Sequence, residues 1–149
     1  ISLLPIRPSF EWRRRRKTDK GLGRHCEVVI RSCNLANPQW TCMRDACPDW
    51  MKLGFSIYEA FSDNEHIYEV FPSASYKMLA RERNVQIKID LSEFFIGPKD
   101  MLDACLAAVT VREYLSGNGD EIGGGDGLGT IILPRKLYMD PLHPIMNWP

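Results

Sequence analysis

The stretch from Gly97 to Ser116, which opens Gly-Pro-Lys-Asp-Met-Leu-Asp-Ala-Cys-Leu-Ala-Ala-Val-Thr, constrains this chain more than any other. Pro98 suits the first helical position, where its missing N–H is no loss, and Gly117 suits the stop. Leu102, Cys105, Leu106 and Val109 form one apolar stripe at helical spacing, and Ala104, Ala107, Ala108 and Val111 form a second, small-residue stripe. Apolar groups on two sides predict a buried helix whose alanines let its backbone lie close to a neighbour. Asp100 and Asp103 stand three apart at its head, so their carboxylates project from one side. An acid in a first helical turn gains about 0.3–1 kcal/mol from the helix dipole, which accounts for Asp100. Asp103 lies a turn further in, where the dipole helps less. The alternative is a divalent cation, Mg²⁺ or Mn²⁺, because a hard ion is held by one or two carboxylates together with water and substrate phosphate.

Other elements follow from periodicity. Between Gly23 and Asn34, Cys26, Val29, Ile30 and Cys33 recur at i, i+3, i+4 and i+7, an amphipathic helix. Residues 34–47 have no period and read as a loop. Pro48 opens a second helix with a broad apolar face of Trp50, Leu53, Gly54, Ile57 and Phe61. His66–Phe71 reads as a short strand ended by Pro72, and Ser73 as the N-cap of a third helix to about Arg83. Val85, Ile87, Ile89 and Leu91 alternate with polar residues, the pattern of a half-buried strand. Glu121–Gly123 and Thr130–Leu133 flank Gly124-Gly-Asp-Gly-Leu-Gly129, a hairpin. This alternation of helices and strands predicts an α/β domain over residues 1–134, opening on a basic loop over 1–22. The proline-rich tail, 135–149, reads as extended and weakly ordered.

Two motifs carry a resemblance. Asp100-Met-Leu-Asp103-Ala-Cys-Leu-Ala-Ala-Val-Thr resembles the last helix of a family of ribonuclease-H-like nucleases catalogued mainly as a domain of unknown function. His66-Ile-Tyr-Glu69-Val-Phe-Pro72-Ser-Ala-Ser75 resembles the same family's Glu-Val-Tyr-Pro-Ala-Ala-Ser segment. Gly123 to Pro134 is similar to its terminal hairpin, and the match runs from about Gly23 to Pro134. The resemblance implies a ribonuclease-H-like mixed sheet flanked by helices. The family begins with strands that precede Ile1, so the resemblance also implies that the N-terminal strands are missing from this chain. An open sheet edge and self-association through it would follow. Arg24, Cys26 and Glu27 fall where the family often shows Arg-x-Cys-Asp, a motif for which the sequence alone offers no physical account.

Chemistry is sought first at carboxylates. Glu69 shares its strand face with Ile67 and Phe71, and a carboxylate among apolar neighbours is expensive unless paired, hydrogen-bonded or metal-bound, the alternative being a strand-end glutamate that reaches water just before Pro72. Glu69, Asp100 and Asp103 are therefore the candidate catalytic residues and metal ligands. They form part of the carboxylate set that a two-metal phosphodiester hydrolysis needs, and Glu69 and Asp100 would have to lie within about 10 Å of one another. The function expected is a divalent-metal-dependent nuclease; the alternative is a non-catalytic nucleic-acid- or protein-binding module on the same scaffold.

The net charge of zero hides an asymmetry. Residues 1–35 hold Arg7, Arg13, Arg14, Arg15, Arg16, Lys17, Lys20, Arg24 and Arg31 against Glu11, Asp19 and Glu27. Arg13–Lys17 reads as a solvated run, either a plain exposed basic loop or one that tracks phosphates with Phe10 and Trp12 placed to stack on bases. No apolar run approaches the ~18–20 residues that span a bilayer. Five cysteines, an odd number mostly on helix faces, read as reduced core residues of a cytoplasmic protein. A zinc site from Cys42, Cys47, His25 and Cys26 has poor spacing. The serines after Glu69 lack a hydrolase elbow's glycines. The glycine run leads into a strand, so it has no helix N-terminus to hold phosphate.

Overall fold

A computed structural model describes residues 23–42, 46–61, 63–64, 66–80, 82 and 99–138. Four helices and a hairpin follow in order: α1 (His25–Ser32), α2 (Asp49–Ala60), α3 (Pro72–Leu79), α4 (Lys99–Leu115), β1 (Asp120–Gly123) and β2 (Thr130–Leu133). The chain is broadly α/β. The basic run Arg13–Lys17 and the alternating segment Val85–Leu91 lie outside the described residues, as does the tail beyond Tyr138.

The hairpin forms the centre. β1 and β2 pair antiparallel with Asp120 opposite Leu133 and Gly123 opposite Thr130. All four residues of β2 are buried. On its other side β2 meets the segment expected as a strand, but only at one parallel bridge, Val70 to Ile132, where the Ile132 N–H donates to the Glu69 carbonyl at 3.0 Å. Pro72 ends that segment at once by opening α3, which leaves too few residues for a longer ladder. Among the described residues no strand pairs with the outer edge of this segment.

Strand alternation sends Ile131 and Leu133 to one face of the hairpin and Thr130 and Ile132 to the other. The first pair joins the stripe expected on α1: Cys26, Val29, Ile30 and Cys33 are all buried against it. The opposite face receives α4, through Tyr114, whose hydroxyl donates to Glu121 at 2.9 Å, while Thr130 donates to the same carboxylate at 2.7 Å. Helices thus cover both sides of the small sheet.

Three expectations are corrected. In α4 only Leu106 and Thr110 are buried, whereas Leu102, Ala104 and Ala108 are exposed. Its alanines reflect helix propensity rather than close packing on a second side. The side that packs does so on α3, where Thr110 and Ser75 are both fully buried and their hydroxyls share a 2.8 Å hydrogen bond. The Leu106 carbonyl can only accept, so Thr110 donates to it at 2.7 Å and Ser75 supplies the proton between the hydroxyls. Secondly, α3 begins at Pro72 with Phe71 as its N-cap, and Ser73 lies exposed within the first turn. A proline's fixed φ is pre-organised for that first position, so the start falls one residue earlier. Thirdly, the chain past Pro134 is tied down over its first residues. Leu137 donates its N–H to Asp120 at 3.0 Å, and Arg135 pairs with Glu82 at 2.6 Å and Glu113 at 2.5 Å.

The helix stop at Gly117 stands as expected. Gly117 takes a φ of 82°, and Asn118 donates back to the Glu113 carbonyl while Gly117 donates to that of Tyr114, both at 3.0 Å. These two bonds make a Schellman cap.

Candidate functional site: the Arg24–Glu69 cleft

Arg24 ends the chain's entry into α1, and Glu27 sits three residues later. That spacing lets the Glu27 carboxylate reach back to the Arg24 backbone N–H, which donates at 2.9 Å, as in a capping box. Glu27 is 3% exposed and its two oxygens accept four hydrogen bonds. Besides that backbone bond they receive the Arg24 Nε–H at 3.0 Å, the Thr41 N–H at 3.0 Å and the Thr41 hydroxyl. A buried carboxylate satisfied this fully has no lone pair left for a ligand.

The remaining edge of the Arg24 guanidinium faces Glu69. Nη1 donates to Oε2 at 2.7 Å and Nη2 donates to Oε1, a two-bond fork of the kind only arginine offers a carboxylate. The side chains are 14% and 18% exposed. Burial works against the charge on Arg24, but the hydrogen bond and charge of Glu69 outweigh it and hold the guanidinium firmly protonated. Arg24 therefore bridges two carboxylates that lie far apart in sequence, one in the first turn of α1 and one at the exit of the 67–71 segment. This is the physical account of the Arg24, Cys26 and Glu27 motif. Its sequence signal was the glutamate at the third helical position; the partner across 45 residues had none.

Cys26 follows with its thiol buried at the start of the core. Burial pushes its pKa up to about 12, with Arg24 pulling the other way. The five cysteines are free thiols, with Cys26, Cys33 and Cys47 buried and Cys42 and Cys105 half-buried. In native protein at pH 8, iodoacetamide is expected to label Cys42 and Cys105 first and to leave Cys26 last. Peptide mapping over time reads the order; rapid labelling of Cys26 would contradict its placement in the core.

The cluster lines a cleft of about 390 Å³. Its opposite wall is α2, which presents Trp50, Met51, Phe55 and Tyr58, and Phe71 closes one end. Gln39 and Thr41 also line it. Burial, and then the negative charge of Glu69, push the Tyr58 phenol well above the ordinary tyrosine range. α2 itself has no buried residue, and it turns Met51, Gly54, Phe55 and Tyr58 inward rather than the face expected from the sequence. Trp50, Leu53, Ile57 and Phe61 are 52–61% exposed and follow one another at helical spacing beside the cleft mouth.

The three carboxylates expected as metal ligands have the following surroundings. Glu69 is forked by Arg24. Asp103 accepts from Lys99 at 3.1 Å on the head of α4, and Asp100 is exposed in the same first turn. Among the described residues no three His, Cys, Asp or Glu side chains stand where one ion would bind them, which holds for His25, Cys26, Cys42 and Cys47 as well.

The glycine-rich hairpin loop serves α1. Asp126 accepts the His25 backbone N–H at 2.9 Å and the Leu128 N–H at 3.0 Å, and the Gly125 N–H donates to His25 Nδ1 at 3.2 Å. An acid from the hairpin thus meets the positive end of the helix that carries Arg24 and Glu27. No helix among the described residues is long and apolar enough to cross a membrane. Comparisons with family models, curated proteins and solved structures find no match to the chain.

Proposed function

We propose that this chain is a protein-binding module on a ribonuclease-H-like scaffold, docking a partner through α2 and the cleft beneath it. The scaffold reading is supported by where the motifs meet: the Arg24–Glu27 and Glu69–Ser75 segments come together beside β2, with helices on both sheet faces. The binding reading is carried by one observation, the line of Trp50, Leu53, Ile57 and Phe61 left over half exposed next to an apolar cleft. Contiguous exposed apolar surface of this kind marks interaction sites.

The partner is a protein segment with a cationic side chain, because one guanidinium serves two carboxylates in the cleft. That surplus of negative charge attracts cations and repels a phosphate backbone, which disfavours nucleic acid as the occupant. Half-exposed apolar side chains gain about 1 kcal/mol each on docking, so the stripe alone offers roughly 4 kcal/mol, no more than millimolar binding. An anchor inside the cleft supplies the rest.

Selection of binding peptides from a displayed library tests this. Peptides are expected to bind the wild type and to lose at least tenfold in affinity against Leu53→Asp and Ile57→Asp, whose circular dichroism should be unchanged because both side chains are exposed. Peptides indifferent to both substitutions, or none selected, would overturn the docking reading. Mn²⁺-dependent cleavage of an oligonucleotide, abolished in Glu69→Gln, would establish hydrolysis in its place.

A further inference from the structure

We propose that the cleft between α2 and Glu69 takes an alkylated ammonium group, the side chain of a methylated lysine in the docked partner. This rests on the docking reading and specifies its anchor. Three features of the cleft select that chemistry together.

Aromatic side chains from two elements line it. Trp50, Phe55 and Tyr58 come from α2, and Phe71 from the start of α3. Aromatic faces attract cations through their quadrupole, and the gain is largest where water is excluded. Its floor carries uncompensated negative charge. Arg24 offers one positive charge to Glu27 and Glu69, and Glu27 spends all four of its acceptor sites inside the fold. Glu69 accepts one Arg24 N–H on each oxygen, so each oxygen keeps a lone pair and the carboxylate still draws a cation. Its size also fits: about 390 Å³ accommodates a branched ammonium head and its stem but no extended peptide.

Degree of alkylation follows from desolvation. A bare ammonium is a compact, strongly hydrated charge whose three donors would all need acceptors. Among the described residues Glu69 is the one carboxylate of the cleft with capacity left, one lone pair on each oxygen against the three donors of an unmodified lysine, and each donor left unpaired there is expensive. Methyl groups remove those donors, spread the charge over apolar surface and fill the aromatic walls. The charge remains, and with it the attraction to Glu69. A guanidinium would carry five donors into the same apolar space and is disfavoured for the same reason.

Titration calorimetry and amide chemical shifts on the full chain test the assignment with three blocked amino acids: trimethyllysine, lysine, and the neutral isostere in which carbon replaces the trimethylated nitrogen. Trimethyllysine is expected to bind at least tenfold more tightly than either of the others, with shifts confined to residues around Trp50, Tyr58 and Glu69. Glu69→Gln should remove most of the advantage over the neutral isostere. Trp50→Leu, a change at a half-exposed position, should weaken trimethyllysine without affecting the fold. Equal binding of trimethyllysine and the isostere would show a purely apolar cleft and overturn the inference, while docking through Leu53 and Ile57 would still stand on its own peptide test. Binding of neither at millimolar concentration would overturn it equally. Loss of peptide docking together with intact trimethyllysine binding would overturn the docking reading and leave the cleft's chemistry in place.

Discussion

Replacing Arg24 with methionine is expected to destabilise the chain by about 3 kcal/mol, measured by urea unfolding. The substitution keeps much of the side chain's length but leaves Glu69 facing an apolar cleft with no donor from α1. Breaking a buried pair from one side costs about 3–5 kcal/mol, because the orphaned charge keeps its desolvation penalty and loses its partner. Side-chain exposures of 14% and 18% place this pair towards the lower end of that range. Glu27 is cushioned, since three of its four hydrogen bonds survive through Thr41 and the backbone of residue 24. Most of the loss therefore belongs to Glu69, and the double variant Arg24→Met/Glu69→Gln should recover at least 1 kcal/mol relative to the sum of the single changes, about the coupling seen between groups in one network. Arg24→Lys should fall in between, because an ammonium cannot satisfy both edges of the cluster at once. If the single effects add to within about 0.5 kcal/mol, the fork between Arg24 and Glu69 contributes nothing to stability.

This cluster marks the boundary of what the residues disclosed in advance. The spacing of Cys26, Val29, Ile30 and Cys33 gave a helix and the correct buried face, because period and burial are both local properties of the chain. The hairpin was equally legible: its glycines at φ 100°, 79°, 70° and 92° occupy backbone regions that other residues avoid, and the flanking apolar runs left only one pairing. Sequence left Glu69 either paired, hydrogen-bonded or metal-bound, since its neighbours on the segment are apolar, or reaching water at the strand's end before Pro72. Which of these applied was illegible, as it depended on a residue 45 positions away. Asp100 and Asp103 were legible as one side of a helix head, but spacing along α4 says nothing about the distance from that head to Glu69. Likewise the two apolar stripes of α4 overstated its burial, because alanine is both a small packing residue and the strongest helix former, and at positions 104 and 108 only the second property is used. The broad apolar face of α2 was expected at Trp50, Leu53, Gly54, Ile57 and Phe61, yet the four large side chains of that face are all more than half exposed, and Met51, Phe55 and Tyr58, outside that face, line the cleft beside Trp50.

Gly123→Ala is expected to be as damaging as the loss of Arg24, and by a different mechanism. Gly123 ends β1 with a φ of 100°, where an L side chain is strained by about 1–2 kcal/mol even in open space. The space is not open. A methyl group there would meet the Cys26 Cβ at 2.5 Å and the Cys26 Cα and N at 2.9 Å, which are parts of the first turn of α1 and cannot swing aside as the tip of a long side chain would. Relief requires α1 to lift from the hairpin, taking the Asp126–His25 bond and the buried Cys26 with it. The combined loss is expected to be about 3 kcal/mol or more, in the range of the larger single-site effects. Gly54→Ala provides the matched control. It lies inside α2, nothing approaches within 4 Å of the added methyl, and a helix-interior glycine is worth about 0.5–1 kcal/mol less than alanine. That variant should be more stable than the wild type by about this amount. Gly125→Ala falls between them, because its nearest neighbour is His25 Nδ1 at 2.6 Å, the end of a side chain that can rotate away at the expense of the Gly125 hydrogen bond. Thermal and urea melts of the three variants give the ranking Gly54→Ala, wild type, Gly125→Ala, Gly123→Ala in falling stability. A Gly123→Ala protein that melts within about 1 kcal/mol of the wild type would mean that α1 does not sit against the end of β1, and with it the position of Arg24 beside Glu69 would have to be abandoned.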